Sequence, residues 1–321
     1  MRLIEGLDAL RALDLAAIYG DASPSHSVVA VGVFDGVHLG HQRLLHELLE
    51  MSSVLHGLPT VVTFNNHPDQ VLRGEAPPQL ISVPHRLRLL RRAGVQRLVL
   101  LDFEPRLQNM TPREFATDVL LGCLHTRGLL LGYDSALGKD RAGTPDCFRQ
   151  LGAELGFEVR VGARFELDGT PVSSTKIRRA IASGDLTLAN RFLGRFPGAM
   201  GTVVPGDARG RQLGFPTANV VPQPCALPPN GVYAVDAILD GQTFPAVANL
   251  GVRPTFAGGQ RGADTRSLEV HLLDFHGDLY GRELEVSFRR FLRPERRFPD
   301  AAALRAQIAE DIAAARQALR A

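Results

Sequence analysis

Two histidines three residues apart, His38 and His41, end the segment Gly32-Val-Phe-Asp-Gly-Val-His-Leu-Gly-His41, which lies between an apolar run and a helical pattern. Glycines at that point allow the chain to turn tightly as it leaves a strand, and such a turn aims backbone N–H groups at an anion. Residues i and i+3 of a first helical turn share a face, so both imidazoles can donate to phosphate oxygens. A lone histidine beside a loop is usually a surface residue. The pairing, the glycines and the strand-to-helix placement point instead to charge developing on a transferring phosphoryl group. A second anion-binding pattern is Val172-Ser-Ser-Thr-Lys-Ile-Arg-Arg179, where Ser173, Ser174 and Thr175 suit the start of a helix and Lys176 and Arg178 follow at once.

The second half of the chain carries a different chemistry. In Gly210-Arg-Gln-Leu-Gly-Phe-Pro-Thr-Ala-Asn219 a hydroxyl and an amide stand two residues apart after a Phe-Pro turn. On extended chain, i and i+2 face the same way, so Thr217 and Asn219 can offer oxygen to Mg²⁺, a hard cation that accepts few protein ligands and keeps waters and phosphates. Gly201 and Gly206 flank the strand pattern just upstream, where backbone N–H groups can approach phosphates. In the run Leu268–Leu273, Leu268, Val270 and Leu272 share one strand face and Glu269 and His271 the other. A carboxylate on an outer face is ordinarily solvated; if that face lines a site, Glu269 is a natural general base for a substrate hydroxyl.

These residues need elements to hold them. The first half alternates β-rich runs (Val28–Val33, Thr60–Phe64, Arg97–Leu101, Gly128–Gly132, Phe157–Val161) with helical patterns (His41–His56, His85–Ala93, Pro112–His125, Pro145–Leu155), which predicts a parallel sheet covered by helices. A short helix, Leu186–Leu193, leads into Gly194–Gly201, where periodicity ends. Beyond it, the runs Val232–Leu239, Phe244–Asn249, Leu268–Leu273 and Leu284–Phe291 have the spacing of a small antiparallel barrel or sandwich. Asp300–Ala321 closes the chain as an amphipathic helix. The domains are set at 1–185 and 186–321.

Composition narrows the function class. A chain of 321 residues is long enough for two cores. Its 36 Lys and Arg against 34 Asp and Glu leave no basic footprint of a protein that coats nucleic acid. The cysteines Cys123, Cys147 and Cys225 lack paired spacings and read as reduced thiols. Neither a signal peptide nor a membrane-spanning run is seen, so a cytoplasmic protein is expected, with an oligomeric state that the sequence leaves open.

The first half resembles the FMN adenylyltransferase module of bacterial FAD synthetases, within the nucleotidyltransferase superfamily. The resemblance runs through Gly32–His41, Thr63-Phe64, His67-Pro68, Met110-Thr-Pro-Arg-Glu-Phe115, Gly132-Tyr-Asp134, Gly138 and Ser173–Arg178. The second half resembles riboflavin kinase through Gly214–Asn219, Gly231–Val235, Asn249-Leu-Gly-Val-Arg-Pro-Thr-Phe256, Leu268-Glu-Val-His271, Asp278-Leu-Tyr-Gly281 and Leu292-Arg-Pro-Glu295. Together they imply a Rossmann-like α/β domain followed by a six-stranded β-barrel with a terminal helix. The implied enzyme phosphorylates riboflavin to FMN with one ATP and adenylylates FMN to FAD with a second, releasing pyrophosphate.

By the resemblance, His38, His41, Lys176 and Arg178 serve adenylyl transfer. Ser173, Ser174 and Thr175 sit at the triphosphate, Gly32 and Phe34 lie beside the adenosine, and Phe64, His67 and Asp134 face the flavin. In the second half Thr217 and Asn219 bind Mg²⁺ with ATP, Gly201 and Gly206 approach its phosphates, and Glu269 activates the terminal ribityl hydroxyl. Arg253 belongs to a loop closing over the substrates, and Asp278 and Tyr280 border the flavin. The chain has Asn65 and Asn66 where the family usually has an acidic residue and a proline, and Ser135 and Leu137 where it usually has two phenylalanines. These departures leave a second reading, a riboflavin kinase with a weak or altered N-terminal transferase. A third, a flavin-storage or sensing protein, has no use for Thr217, Asn219 and Glu269 together.

Overall fold

The computed structural model describes residues 1–12, 26–206, 210, 213–252 and 266–320. The described residues fall into two compact units, one formed by Met1–Pro77 with Val83–Ser173, the other by Pro78–Ser82 with Ser174–Ala321.

The first unit is built on six parallel strands: β1 (Arg2–Glu5), β2 (Ser27–Val31), β3 (Leu58–Phe64), β4 (Arg97–Leu101), β5 (Thr126–Gly132) and β6 (Glu158–Gly162), in the order β1-β4-β3-β2-β5-β6. Every residue of β2, β3 and β4 is buried, which is why these segments read as runs dominated by valine and leucine. The edge strand β6 alternates exposed and half-buried positions before ending at buried Gly162. The helix Leu39–Val54 packs on β2, β3 and β5, and Pro145–Leu155 packs on β6. Strand order reverses at β2, with β3 on one side and β5 on the other, so the carboxyl end of β2 is the crevice where open α/β sheets bind ligands. The Gly32–His41 turn leaves from there.

Two features of this unit depart from the pattern in the sequence. The N-terminal strand β1 joins the far edge through parallel pairing with β4, although its four residues carry no β-run because only Ile4 is buried. The expected helix Pro112–His125 starts as α-helix over Pro112–Glu114, capped reciprocally by Thr111 and Glu114, but continues as π-helix over Phe115–Cys123. The wider turn brings Phe115, Ala116, Val119 and Leu120 onto the buried side. A small hairpin, β7 (Glu166–Leu167) and β8 (Thr170–Pro171), follows β6.

In the second unit, the helices Ser174–Ser183 and Leu186–Leu193 precede a closed antiparallel barrel. Its strands are β9 (Gly198–Val204), β10 (Ala218–Pro222), β11 (Gly231–Leu239), β12 (Gln242–Val252), β13 (Arg266–Leu272) and β14 (Glu283–Arg293), in the cyclic order β10-β13-β12-β11-β14-β9. Closure requires intimate contact where β9 meets β10: a Cβ on Gly201 would lie 2.1 Å from the carbonyl oxygen of Val221. Side chains including Val203, Val220, Val235, Ala248, Leu268, Val270 and Phe288 form the core. The C-terminal helix Ala301–Arg320 packs against β11, β12 and β14. Among the described residues no helix is long and apolar enough to cross a membrane.

Candidate functional site

At the carboxyl end of β2 the chain turns through left-handed conformations at Phe34 (φ 52°), Gly36 (φ 77°) and Val37 (φ 40°). Only the glycine adopts such a conformation without strain, and a β-branched valine there must be held by its surroundings. Gln42 Nε2 donates to the Val37 carbonyl at 2.9 Å, and Arg86, on the helix Val83–Arg92, holds the entry to the turn at Val33. Its guanidinium is almost wholly buried, donates through Nη1 to the Val33 carbonyl at 2.7 Å and through Nη2 to the Phe64 carbonyl, and faces buried Asp35. Burial lowers its pKa to about 10 against the raising effect of Asp35, which keeps the cation charged at neutral pH. Arg86 thereby ties the ends of β2 and β3 to the turn between them.

The turn delivers the two histidines as a stacked pair. Their ring centroids lie 3.7 Å apart with planes 15° from parallel, and Phe34 packs on His41 at 5.2 Å. His38 caps the helix Leu39–Val54, its Nδ1 accepting from the His41 backbone N–H at 3.3 Å. With Nδ1 an acceptor, a neutral His38 carries its proton on Nε2. A Cβ on Gly40 would lie 3.2 Å from the His38 ring, so glycine there leaves the imidazole its place. The expected shared face of His38 and His41 is what the structure forms.

The other expected residues of this unit are dispersed around it. Gly32 donates to the Val62 carbonyl, and a Cβ on it would meet the Phe34 ring at 3.2 Å. Phe34 is buried, as is Phe64, which packs edge-on against Phe103. His67 is half-buried and caps the helix Pro68–Arg73 through Nδ1. Asp134 is exposed beside Tyr133, whose ring lies 5.9 Å from the Arg164 guanidinium. Asn65 donates to Asp102, and Asn66 both donates to the Phe103 carbonyl and accepts from its N–H. The two departing asparagines therefore tie the loop after β3 to the loop after β4. Leu137 pairs with Gly143 to close the loop after β5.

Ser173 is half-buried at the end of the first unit, and the remaining hydroxyl and cationic residues open a helix of the second. In that helix, Ser174–Ser183, Ile177, Ala180 and Ile181 face inward, Thr175 is exposed and Lys176 and Arg178 are half-buried. Arg178 donates to the Pro78 carbonyl at 2.8 Å.

On the barrel, the residues of the second site converge. Glu269 on β13 stands directly opposite Asn219 on β10 and directly opposite Asn249 on β12. Opposite residues of antiparallel strands share a face with Cβ atoms about 4.5–5.5 Å apart. Their neighbours Ala218, Val220, Ala248, Leu250, Leu268 and Val270 are buried in the core, so the row Asn219–Glu269–Asn249 lies on the outer face, and all three are half-buried. Glu269 accepts no hydrogen bond from any described residue, leaving its carboxylate available to a ligand.

The glycine-rich segment lies over the neighbouring pair. A Cβ on Gly206 would lie 2.1 Å from Nδ2 and 2.8 Å from Oδ1 of Asn219, and one on Gly210 would lie 3.2 Å from Oγ1 of Thr217. Bare backbone thus approaches both side chains. A hydroxyl and an amide oxygen beside the backbone of Gly206 and Gly210 fit a hard divalent cation that keeps phosphate and water ligands. The Phe-Pro turn before Thr217 is fixed by His271: its Nδ1 donates to the Pro216 carbonyl at 2.7 Å and its ring meets Phe215 edge-on.

The C-terminal helix secures both edges of this surface. Arg305 donates to the Leu213 carbonyl at 3.0 Å. Asp311, buried, accepts from Nε and Nη2 of Arg293 and from Gln307. Immediately after Arg293, Glu295 reaches back to accept from Asn249 Nδ2 at 3.2 Å. Asp278 caps the turn to Tyr280, whose ring is half exposed. Gly201 is buried in the β9 ladder between Pro222 and Leu284. Arg253 lies outside the described residues. Sequence reasoning missed Asn249, Glu295, His271 and Arg86; period-2 alternation around buried Ala248 and Leu250 was the signal that places Asn249 on the face of Glu269.

The model of the FAD synthetase family matches residues 21–176, and that of the riboflavin kinase family matches residues 193–319. A Pseudomonas fluorescens protein described as bifunctional riboflavin kinase/FMN adenylyltransferase is 41% identical, over 98% of this chain and 97% of its own length. An Escherichia coli K12 protein of the same description is 37% identical, over 99% and 97%. A solved structure described as a macrolide-efflux protein from Streptococcus pneumoniae superposes with a TM-score of 0.79 at 31% identity, covering 92% of this chain and 96% of that one. The two family matches in this order, with relatives similar from end to end, establish that the chain belongs to the bifunctional riboflavin kinase/FMN adenylyltransferase family.

Proposed function

We propose that the chain converts riboflavin to FAD in two steps, each consuming one ATP, with kinase chemistry in residues 186–321 and adenylyl transfer in residues 1–185. The observation that carries the kinase assignment is the row Asn219–Glu269–Asn249 beside Thr217: a lone acceptor carboxylate next to a cation cradle on one strand face.

In the kinase step Glu269 removes the proton of the terminal ribityl hydroxyl as its oxygen bonds to the γ-phosphorus and the bond to the ADP oxygen breaks. Thr217 and Asn219 would hold Mg²⁺, which would offset the charge of the ATP phosphates. Backbone at Gly206, with Gly201 upstream, lies toward the phosphates. Asp278 and Tyr280 border the flavin.

For adenylyl transfer, the FMN phosphate attacks the α-phosphorus of ATP and pyrophosphate leaves. His38 and His41 donate hydrogen bonds to phosphate oxygens, which stabilises charge without a covalent intermediate. Gly32 and Phe34 lie beside the adenosine, and Phe64, His67 and Asp134 serve the flavin. Ser173, and the helix start with Ser174, Thr175, Lys176 and Arg178, are offered as anion-binding groups. With free Cys123, Cys147 and Cys225, the setting proposed is the cytoplasm, with small-molecule substrates and no nucleic-acid partner.

The test is a chromatographic time course of riboflavin with excess ATP and Mg²⁺. FMN should rise and pass into FAD; FMN accumulating with no FAD would confine the activity to the kinase.

A further inference from the structure

Asn249 is the one member of the outer-face row with no part in the chemistry proposed above. Its amide orientation follows from its partner. The Glu295 carboxylate is a pure acceptor, so the atom facing it at 3.2 Å must be the N–H-bearing Nδ2. That commits the donor side of the amide and leaves Oδ1 as its acceptor, on the face shared with Glu269 one strand away.

Glu295 in turn is held to this place by covalent and packing geometry. It follows Pro294 and Arg293, which the buried Asp311 of the C-terminal helix grips from two sides. Its carboxylate lies over β12 so closely that a Cβ on Gly251 would meet Oε1 at 2.3 Å. Glycine at 251 is therefore the condition for Glu295 to reach Asn249. An exposed carboxylate that merely met solvent would need no such cleared strand.

We propose that Asn249 is a specificity-determining residue of the kinase site, its Oδ1 accepting a hydrogen bond from a secondary hydroxyl of the ribityl chain while Glu269 engages the terminal one, and that Glu295 is the positioning residue that sets the amide. This rests on the kinase reading. Two acceptors opposite each other on neighbouring strands, with Cβ atoms about 5 Å apart, suit the successive hydroxyls of an extended polyol. The hydroxyl donates to Oδ1 and to no charged group, so the contact orients the chain without competing for the proton that Glu269 removes.

The experiment uses the full chain and measures FMN formation from riboflavin and from analogues that each lack one secondary ribityl hydroxyl. In the wild type one analogue should lose about 10- to 100-fold in kcat/KM, because the site's acceptor is left unmatched. Asn249→Ala should lose a similar factor with riboflavin and no longer distinguish that analogue from it. Glu295→Ala should fall between, and Glu295→Gln, which keeps an acceptor for Nδ2, should recover much of the loss. The thermal unfolding transition and far-UV circular dichroism of each variant report that the barrel is folded and should be unchanged. The proposal is overturned if Asn249→Ala keeps the wild-type preference for riboflavin over every analogue, or if the wild type uses all analogues as well as riboflavin. A wild type that forms no FMN at all would overturn the kinase reading itself.

Discussion

Gly206→Ala tests the cradle over the kinase cation site, because the perturbation is a single methyl group at a known place. The added Cβ would lie 2.1 Å from Nδ2, 2.5 Å from Cγ and 2.8 Å from Oδ1 of Asn219, whereas ordinary contacts begin near 3.4 Å. Either the amide swings away or the backbone at Gly206 moves, and relief of the closest contact needs a shift of about 1 Å. A displacement of that size at a reacting centre costs about 100-fold in rate, equivalent to about 2.7 kcal/mol of transition-state stabilisation. The assay is FMN formation as a function of Mg²⁺, with FAD formation from added FMN as the internal control. The rate should fall about 100-fold, the Mg²⁺ needed for half-maximal rate should rise, and the adenylyl transfer should be preserved. Wild-type kinase rate with unchanged Mg²⁺ dependence would refute the idea that Asn219 and the Gly206 backbone form one ligand-holding unit. Equal loss of both activities would point to general misfolding.

Three further outcomes follow from the same geometry. Glu269→Gln removes the proposed base and should lower FMN formation about 100-fold or more while leaving FAD formation from FMN nearly intact, and His38→Ala should do the reverse; assaying both activities in both variants exposes any sharing of centres. Arg86→Met strips donors from the Val33 and Phe64 carbonyls and the facing cation from Asp35, so the first unit should lose about 2–5 kcal/mol, read as a fall of several degrees in its thermal transition and faster hydrogen exchange at the ends of β2 and β3; an unchanged transition would contradict the clamp. The Cys123 thiol is pushed above its ordinary range by burial and by Asp118, so its thiolate fraction at pH 8 falls below that of free cysteine; iodoacetamide labelling followed by mass spectrometry should be slower than for free cysteine at pH 8 and climb about tenfold per pH unit above it.

The elements that the sequence disclosed are those whose side-chain period coincides with a complete buried face. Arg97–Leu101, Pro145–Leu155 and Leu186–Leu193 have the boundaries expected from pattern, and the barrel strands widen the expected runs by one to three residues at an end, except that β13 stops one residue short of Leu273. The strand β1 was illegible because one buried side chain makes no period. The π-helical turn of Phe115–Cys123 was illegible because a helical moment does not register one extra residue per turn. In the sites, His38 with His41 and Thr217 with Asn219 were readable because each pair is local: i, i+3 on a helix start and i, i+2 on extended chain. Asn249 and Glu295 come to Glu269 only through strand register and a chain reversal, and Arg86 reaches the Gly32–His41 turn across 53 residues from Val33. No spacing rule along one chain encodes those meetings.

The two sites also place charge by opposite means, and this predicts how each tolerates change. At the end of β2, the histidines depend on left-handed Phe34 and Val37, and that turn depends on a buried cation, so position and stability are coupled. Around Glu269 the active side chains stand on the outside of a closed barrel whose interior is apolar and complete without them. Losing Glu269 or Asn249 leaves every core contact in place. Substitutions in the barrel row should therefore abolish or redirect catalysis at nearly constant stability, whereas substitutions around the strained turn should reduce activity and stability together. The difference lies in backbone geometry: a flat strand face offers side chains at no conformational cost, while the turn at the end of β2 bends the chain where most residues resist.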